Sequence, residues 1–108
     1  MKGFLWTVPG VVIRVVDGDT VRLLLDLGWG IGIEKNARVI GINAPELRTP
    51  QGPAAKAFAE SLLPPGREIR FISHQLDKYG RPLGEIKIDG QDFATAMLNA
   101  GHAKTLTY

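Results

Sequence analysis

Apolar and polar residues change rhythm several times along the chain, and each change predicts an element. Val11 to Val16 is a β-branched run broken by Arg14, which suits a mostly buried strand. Asp17-Gly18-Asp19 turns the chain, and Thr20 to Leu27 predicts a second strand. Gly28-Trp29-Gly30-Ile31-Gly32 predicts a pliable hairpin region, followed by a third strand from Ala37 to Ile42 that Asn43-Ala44-Pro45 closes. Helical spacing then takes over. Pro53 suits a first helical position, and Ala55, Phe58, Ala59 and Leu62 line one face of a helix over 53–63, stopped by Pro64-Pro65-Gly66. Glu68 to Ser73 and Leu83 to Ile88 predict a fourth and a fifth strand, joined through Asp77-Lys78-Tyr79-Gly80-Arg81. Asp92 suits the N-cap of a short helix over 93–100, with Gly101 as its stop.

Three strands, a helix, two strands and a helix form a mainly β pattern with helices. A helix between strands three and four of a five-stranded antiparallel set is the pattern of an OB-type barrel, a scaffold often used for nucleic acids. With 108 residues the expectation is a single domain over 1–108. No apolar run approaches the roughly 20 residues of a membrane span. Val8-Pro9-Gly10 also interrupts the opening before a signal-peptide core forms, so the reading is a soluble chain without a membrane partner, cytoplasmic by default. The absence of cysteine excludes disulfides, thiol nucleophiles and zinc–thiolate sites. Thirteen basic residues against 11 acidic ones permit a polyanionic partner without requiring one.

Candidate chemistry gathers at three loops. Asp17 and Asp19 flank a glycine turn and can offer oxygens to a hard cation, although Asp-Gly is also an ordinary hairpin turn. Arg38 begins a strand face that continues with Ile40 and Ile42. It can grip a phosphate with two parallel hydrogen bonds or lay its stem over apolar surface. Glu46 follows Pro45, where a local turn acid is the plain alternative. Lys78 and Arg81 can meet phosphates and Tyr79 can stack, or the segment is simply a polar turn. Trp6 and Trp29 are expected to pack, with base stacking as the other use of Trp29, and neither His74 nor His102 is given a catalytic role.

Taken in order, "VVDGDTVRLLL", "ARVIGINAPEL", "DKYGRPLGEIKIDGQD" and "LNAGHAK" resemble the staphylococcal nuclease (thermonuclease) family from about Val11 onward. The resemblance implies a calcium-dependent nuclease acting on DNA, RNA or both and leaving 3′-phosphate ends. It puts Arg38, Glu46 and Arg81 on the catalytic positions. Asp19, Ala44 through its carbonyl, and Asn43 would ligate calcium beside Asp17, and Lys78 and Tyr79 would hold a nucleotide's terminal phosphate. Retention of the catalytic trio favours the enzyme over a non-catalytic module that binds nucleic acid or protein on the same barrel.

Two departures stand out. Asn43 occupies the position where the best-known member has a second ligating aspartate, so one formal charge is missing and weaker calcium binding is expected. That member's third helix has no counterpart before Tyr108, which is the remaining aromatic near this end for a nucleotide base; a homodimer is one way to cover the surface so exposed.

Overall fold

The computed structural model describes residues 6–107. Its first strand is twice as long as the β-branched run alone implies. β1 spans Trp6–Asp17, pairing with β5 (Glu68–Leu76) through Trp6–Val11 and with β2 (Thr20–Gly28) through Gly10–Asp17. Irregularities at Ile13 and Val16 break the register, and such bulges bend a strand strongly enough to serve two neighbours in a curled sheet. The glycine-rich segment is a tight turn rather than a loose loop. Trp29 and Gly30 both have positive φ, at 53° and 74°, as a two-residue type I′ hairpin demands, and β3 starts directly after them at Ile31. Trp29 is 97% exposed and Trp6 56%, so neither packs as expected.

β3 (Ile31–Val39) also stops earlier than the apolar alternation suggests. Gly41, with φ at 86°, turns the chain, and Ile42–Asn43 form a separate β4 paired with β8 (Lys104–Thr105). A glycine in the left-handed region thus ends a face that the sequence pattern continues through Ile40 and Ile42. β5 runs past Ser73 to Leu76, and β6 (Pro82–Ile88) leads to the short β7 (Gln91–Asp92). The strand order β3-β2-β1-β5-β6 closes through a parallel contact, Arg38 opposite Leu83 and Val39 opposite Gly84. The result is the expected five-stranded OB-like barrel, closed by one parallel pair rather than being antiparallel throughout.

Both helices fall within a residue of their expected bounds. α1 (Gly52–Leu62) carries its proline in the first turn, buries Ala55 and Ala59, and packs against β1 and α2. α2 (Phe93–Asn99) is capped by Asp92, whose carboxylate accepts hydrogen bonds from Thr95 N and Oγ1, and Gly101 turns away with φ at 77°. Leu23, Phe71, Ile86, Phe93 and Met97 are fully buried, joining the barrel interior to the helices. Each such side chain contributes roughly 2–3 kcal/mol by leaving water. Among the described residues no helix is long and apolar enough to cross a membrane.

The closing seam is sensitive to volume. A Cβ added at Gly84 would overlap the Ile72 carbonyl and meet the Phe71 ring at 2.8 Å. Gly84→Ala is therefore expected to lower the unfolding free energy by about 1–3 kcal/mol in urea denaturation. An unchanged midpoint would show that the seam is not packed this tightly.

Candidate active site

Asp19 lies where β2 begins, and the Asp17-Gly18-Asp19 turn is pressed against the rest of the fold. A side chain at Gly18 would meet Ala44 Cβ at 2.6 Å and Met97 Cε at 3.2 Å, so only glycine lets the turn approach this closely. The approach has a consequence for Asp19. Its Oδ2 accepts a 2.8 Å hydrogen bond from Ala44 N, and its Oδ1 accepts one from Thr20 Oγ1 at 3.2 Å. Asp17 Oδ1 accepts from Asp19 N at 3.0 Å, which brings the second acid alongside. Burial, and then the contact with Asp17, push the Asp19 carboxyl up to about 6, against the opposing Ala44 N–H and Arg38 charge.

Arg38 faces Asp19 across the β2–β3 ladder, where it is paired with Thr20. The guanidinium donates to Val39 O at 2.7 Å and, more weakly, to Asp19 O at 3.5 Å. Its Nη2 lies 3.5 Å from both Asp19 Oδ2 and Asn43 Oδ1. Arg38 and Asp19 are each only 9% exposed, so both ions depend on one another and on backbone groups. Asp17, Asp19, Arg38, Asn43 and Ala44 are thereby brought together from three segments of the chain.

Glu46 follows Ala44 by two residues, and among the described residues its hydrogen bonds are with the turn leading to α1 rather than with this group. Glu46 O accepts from Thr49 N at 2.9 Å and Thr49 Oγ1 at 2.6 Å. Gly52, buried at the start of α1, lies so close that any side chain would overlap that carbonyl. The main chain is thus pinned at Ala44 and at Glu46, on both sides of Pro45. The Glu46 carboxylate points to solvent and pairs with Arg48 Nε at 2.6 Å, both side chains being mostly exposed. Such a surface pair holds a side chain by at most about 1 kcal/mol, so the carboxylate can exchange it for another partner.

Arg81 is organised by a residue to which the sequence pattern assigned no role. Asp77 Oδ1 accepts from Tyr79 N and Arg81 N, each at 2.9 Å, and Oδ2 accepts from Arg81 Nε at 2.7 Å. Burial opposes ionisation of Asp77, but these hydrogen bonds outweigh it and hold the carboxyl below its usual range. An aspartate bonding backbone N–H groups two and four residues on is a turn signal that is legible in the sequence. Arg81 immediately precedes β6 and lies two residues before Leu83, the partner of Arg38, so its backbone comes in beside β3. Lys78 and Tyr79 are exposed at its tip, with Lys78 Nζ 5.2 Å and Arg81 Cζ 5.5 Å from the centre of the Tyr79 ring. Tyr108 lies outside the described residues. Both histidines have other partners: His74 Nε2 lies 2.7 Å from Glu85 Oε2, and the His102 ring is 4.9 Å from that of Phe58.

The oxygens near Asp19 are of the hard type that calcium prefers: two carboxylates and the Asn43 amide oxygen, with Ala44 held there through its N–H. Crowding of Asp17 on a buried Asp19 is the arrangement that a dication relieves, so the donor set fits such an ion. Among the described residues no three His, Cys, Asp or Glu side chains cluster, and the fit therefore depends on oxygens such as the Asn43 amide beside two acids.

Residues 36–108 match the family model described as staphylococcal nuclease homologue. An uncharacterized endonuclease of Escherichia coli O157:H7 is 33% identical over 97 residues, covering 89% of this chain and 60% of that protein. A thermonuclease of Staphylococcus hyicus is 29% identical over 104 residues, covering 90% of this chain and 59% of its own length. Endonuclease YhcR of Bacillus subtilis (strain 168) is 32% identical across 89% of this chain, a stretch that amounts to 9% of that protein. The chain thus spans about 60% of the length of the first two of these relatives. With the closed barrel, its two helices and the loops at Asp19, Asn43 and Arg81 in place, the match fixes the lineage: the chain belongs to the staphylococcal nuclease family.

Proposed function

We propose that the protein is a calcium-dependent nuclease that hydrolyses phosphodiester bonds of DNA, RNA or both and leaves 3′-phosphate ends. The observation that carries this reading is the half-buried joint in which Asp19 Oδ2 and Asn43 Oδ1 converge on one nitrogen of Arg38, with Ala44 held against Asp19. It supports the reading because oxygens able to ligate a hard cation lie beside a guanidinium able to grip a phosphate. Endonuclease and thermonuclease relatives support the same reaction class.

Asp19, Asn43 and the Ala44 carbonyl would hold the ion, with Asp17 adding negative charge. Calcium bound there would supply Lewis-acid polarisation of a phosphate oxygen and a lowered pKa for a neighbouring water. Glu46 leaves Arg48 and accepts the proton of the attacking water, whose oxygen forms the new bond to phosphorus. The bond from phosphorus to the 5′ oxygen breaks, and that oxygen takes up a proton as it departs. Arg38 and Arg81 donate hydrogen bonds to the phosphoryl oxygens as negative charge builds on them. Lys78 and Tyr79, exposed beside Arg81, meet the adjoining phosphate, and Tyr108 is assigned to the same substrate.

Plasmid DNA incubated with calcium should be degraded, and a chelator should stop the reaction. Glu46→Gln is expected to slow cleavage by about 10²–10⁴-fold. Its stability should hardly change, because its backbone anchors remain and its side chain is exposed. DNA binding without cleavage over a wide calcium range would contradict the proposal and favour a binding module. A second outcome concerns the missing charge: Asn43→Asp should tighten the apparent calcium affinity by about fivefold or more, since one added charge near the ion is worth about 1–4 kcal/mol. A calcium titration of activity with no shift in midpoint would remove Asn43 from the ligand set.

A further inference from the structure

The outer face of β1, β2 and β3 carries cations that the reaction described above does not use. Val21, Leu23 and Ala37 point into the core, so Arg22 on β2 and Asn36 on β3 face outward. Arg22 Nη1 donates to Asn36 Oδ1 at 3.1 Å, which fixes them on one face. Arg14 is directly opposite Arg22, and Asn36 is opposite Arg22 on the other side. Arg38 stands two residues from Asn36 on this same face, about 7 Å along the strand.

Two arginines directly opposed across an antiparallel pair, about 5 Å apart at the backbone, repel one another and destabilise the sheet. Arg38, Arg48, Arg67 and Arg81 each pair with a carboxylate. Among the described residues Arg14, Arg22 and Arg70 have no such partner, and Arg70 stands apart on β5, opposite Pro9; Arg22 has only a neutral amide, which uses one of its five N–H groups. The acids on this face lie on the opposite side of Asn36 from Arg38, Glu34 being diagonal to Arg22. Glu34 and Asp26 follow outward toward the hairpin tip, opposite Leu24 and Gly32. A polyanion leaving the site is therefore repelled along the hairpin and attracted across the strands.

We propose that Arg14 and Arg22 form a phosphate track that carries a nucleic-acid strand across β3, β2 and β1, away from the bond cut at Arg38. The track rests on the nuclease reading and adds the path of the substrate beyond the reacting phosphate. Asn36 orients the Arg22 fork, and Arg14 continues the line at the next strand. Contacts of this kind position the strand without reading its bases.

The test measures binding without turnover, in the Glu46→Gln background. Fluorescence anisotropy follows a labelled single strand of about a dozen nucleotides, within the range that an OB-type barrel covers. Arg14→Gln with Arg22→Gln should weaken binding about tenfold at low salt. The same variant should flatten the dependence of log K on log salt by about 0.7 for each phosphate that is no longer neutralised. The charge-matched pair Lys56→Gln with Arg70→Gln, off the track, should leave that slope in place. Because a like-charge repulsion is removed, the melting temperature of the Arg14, Arg22 variant should not fall. Unchanged affinity and slope, an equal effect from the off-track pair, or weakened binding that comes with a lowered melting temperature would each overturn the track. Failure of the nuclease reading would appear in cleavage assays alone, since these affinities are measured without any cutting.

Discussion

The carboxylate of Asp19 is the point on which the rest of the site depends. It is buried, crowded by Asp17, and held by one backbone N–H from Ala44 and by the Arg38 guanidinium. A buried charge with such partners is costly to leave incomplete, and removing any one would strand the others. The same contacts hold Asn43 and Ala44, while the Glu46 carbonyl, two residues on, is held separately by Thr49 and the close approach of Gly52. The arrangement is therefore rigid in its backbone and open in one side chain, the carboxylate of Glu46.

The barrel makes this joint possible by bringing distant segments together. β3 and β6 meet in parallel only at Arg38 and Val39, and this brief seam brings the loop holding Arg81 beside the strand holding Arg38. Asp77 then fixes that loop internally, so Arg81 does not depend on bound substrate for its backbone position. The seam is narrow because the chain turns at Gly41 and gives its next two residues to β8.

Much of this was legible in the residues, and the misreadings share a cause. Helix bounds were readable because proline, an N-cap aspartate and a terminal glycine act locally. The ordered motifs around Asp19, Asn43 and Arg81 pointed to the family. Strand limits were less legible, since β1 extends through Trp6–Pro9 only because β5 is there to pair with it. Alternation at Ile40 and Ile42 hid the break at Gly41. Trp29 gave the opposite impression of its surroundings: a large apolar residue reads as core, yet it forms the tip of a type I′ turn in full solvent. The tie between Asp19 and Ala44, 25 residues apart, has no local signature at all.

The most direct test of the central claim is calorimetric titration of calcium into the intact protein and its Asp19→Asn variant. The amide oxygen of the variant can still accept from Ala44 N, so the loop is retained while the charge is lost. The expected result is a single calcium site in the parent chain and binding at least about tenfold weaker in the variant. Equal affinity in the two proteins would contradict the account, because the buried carboxylate would then not be what holds the ion.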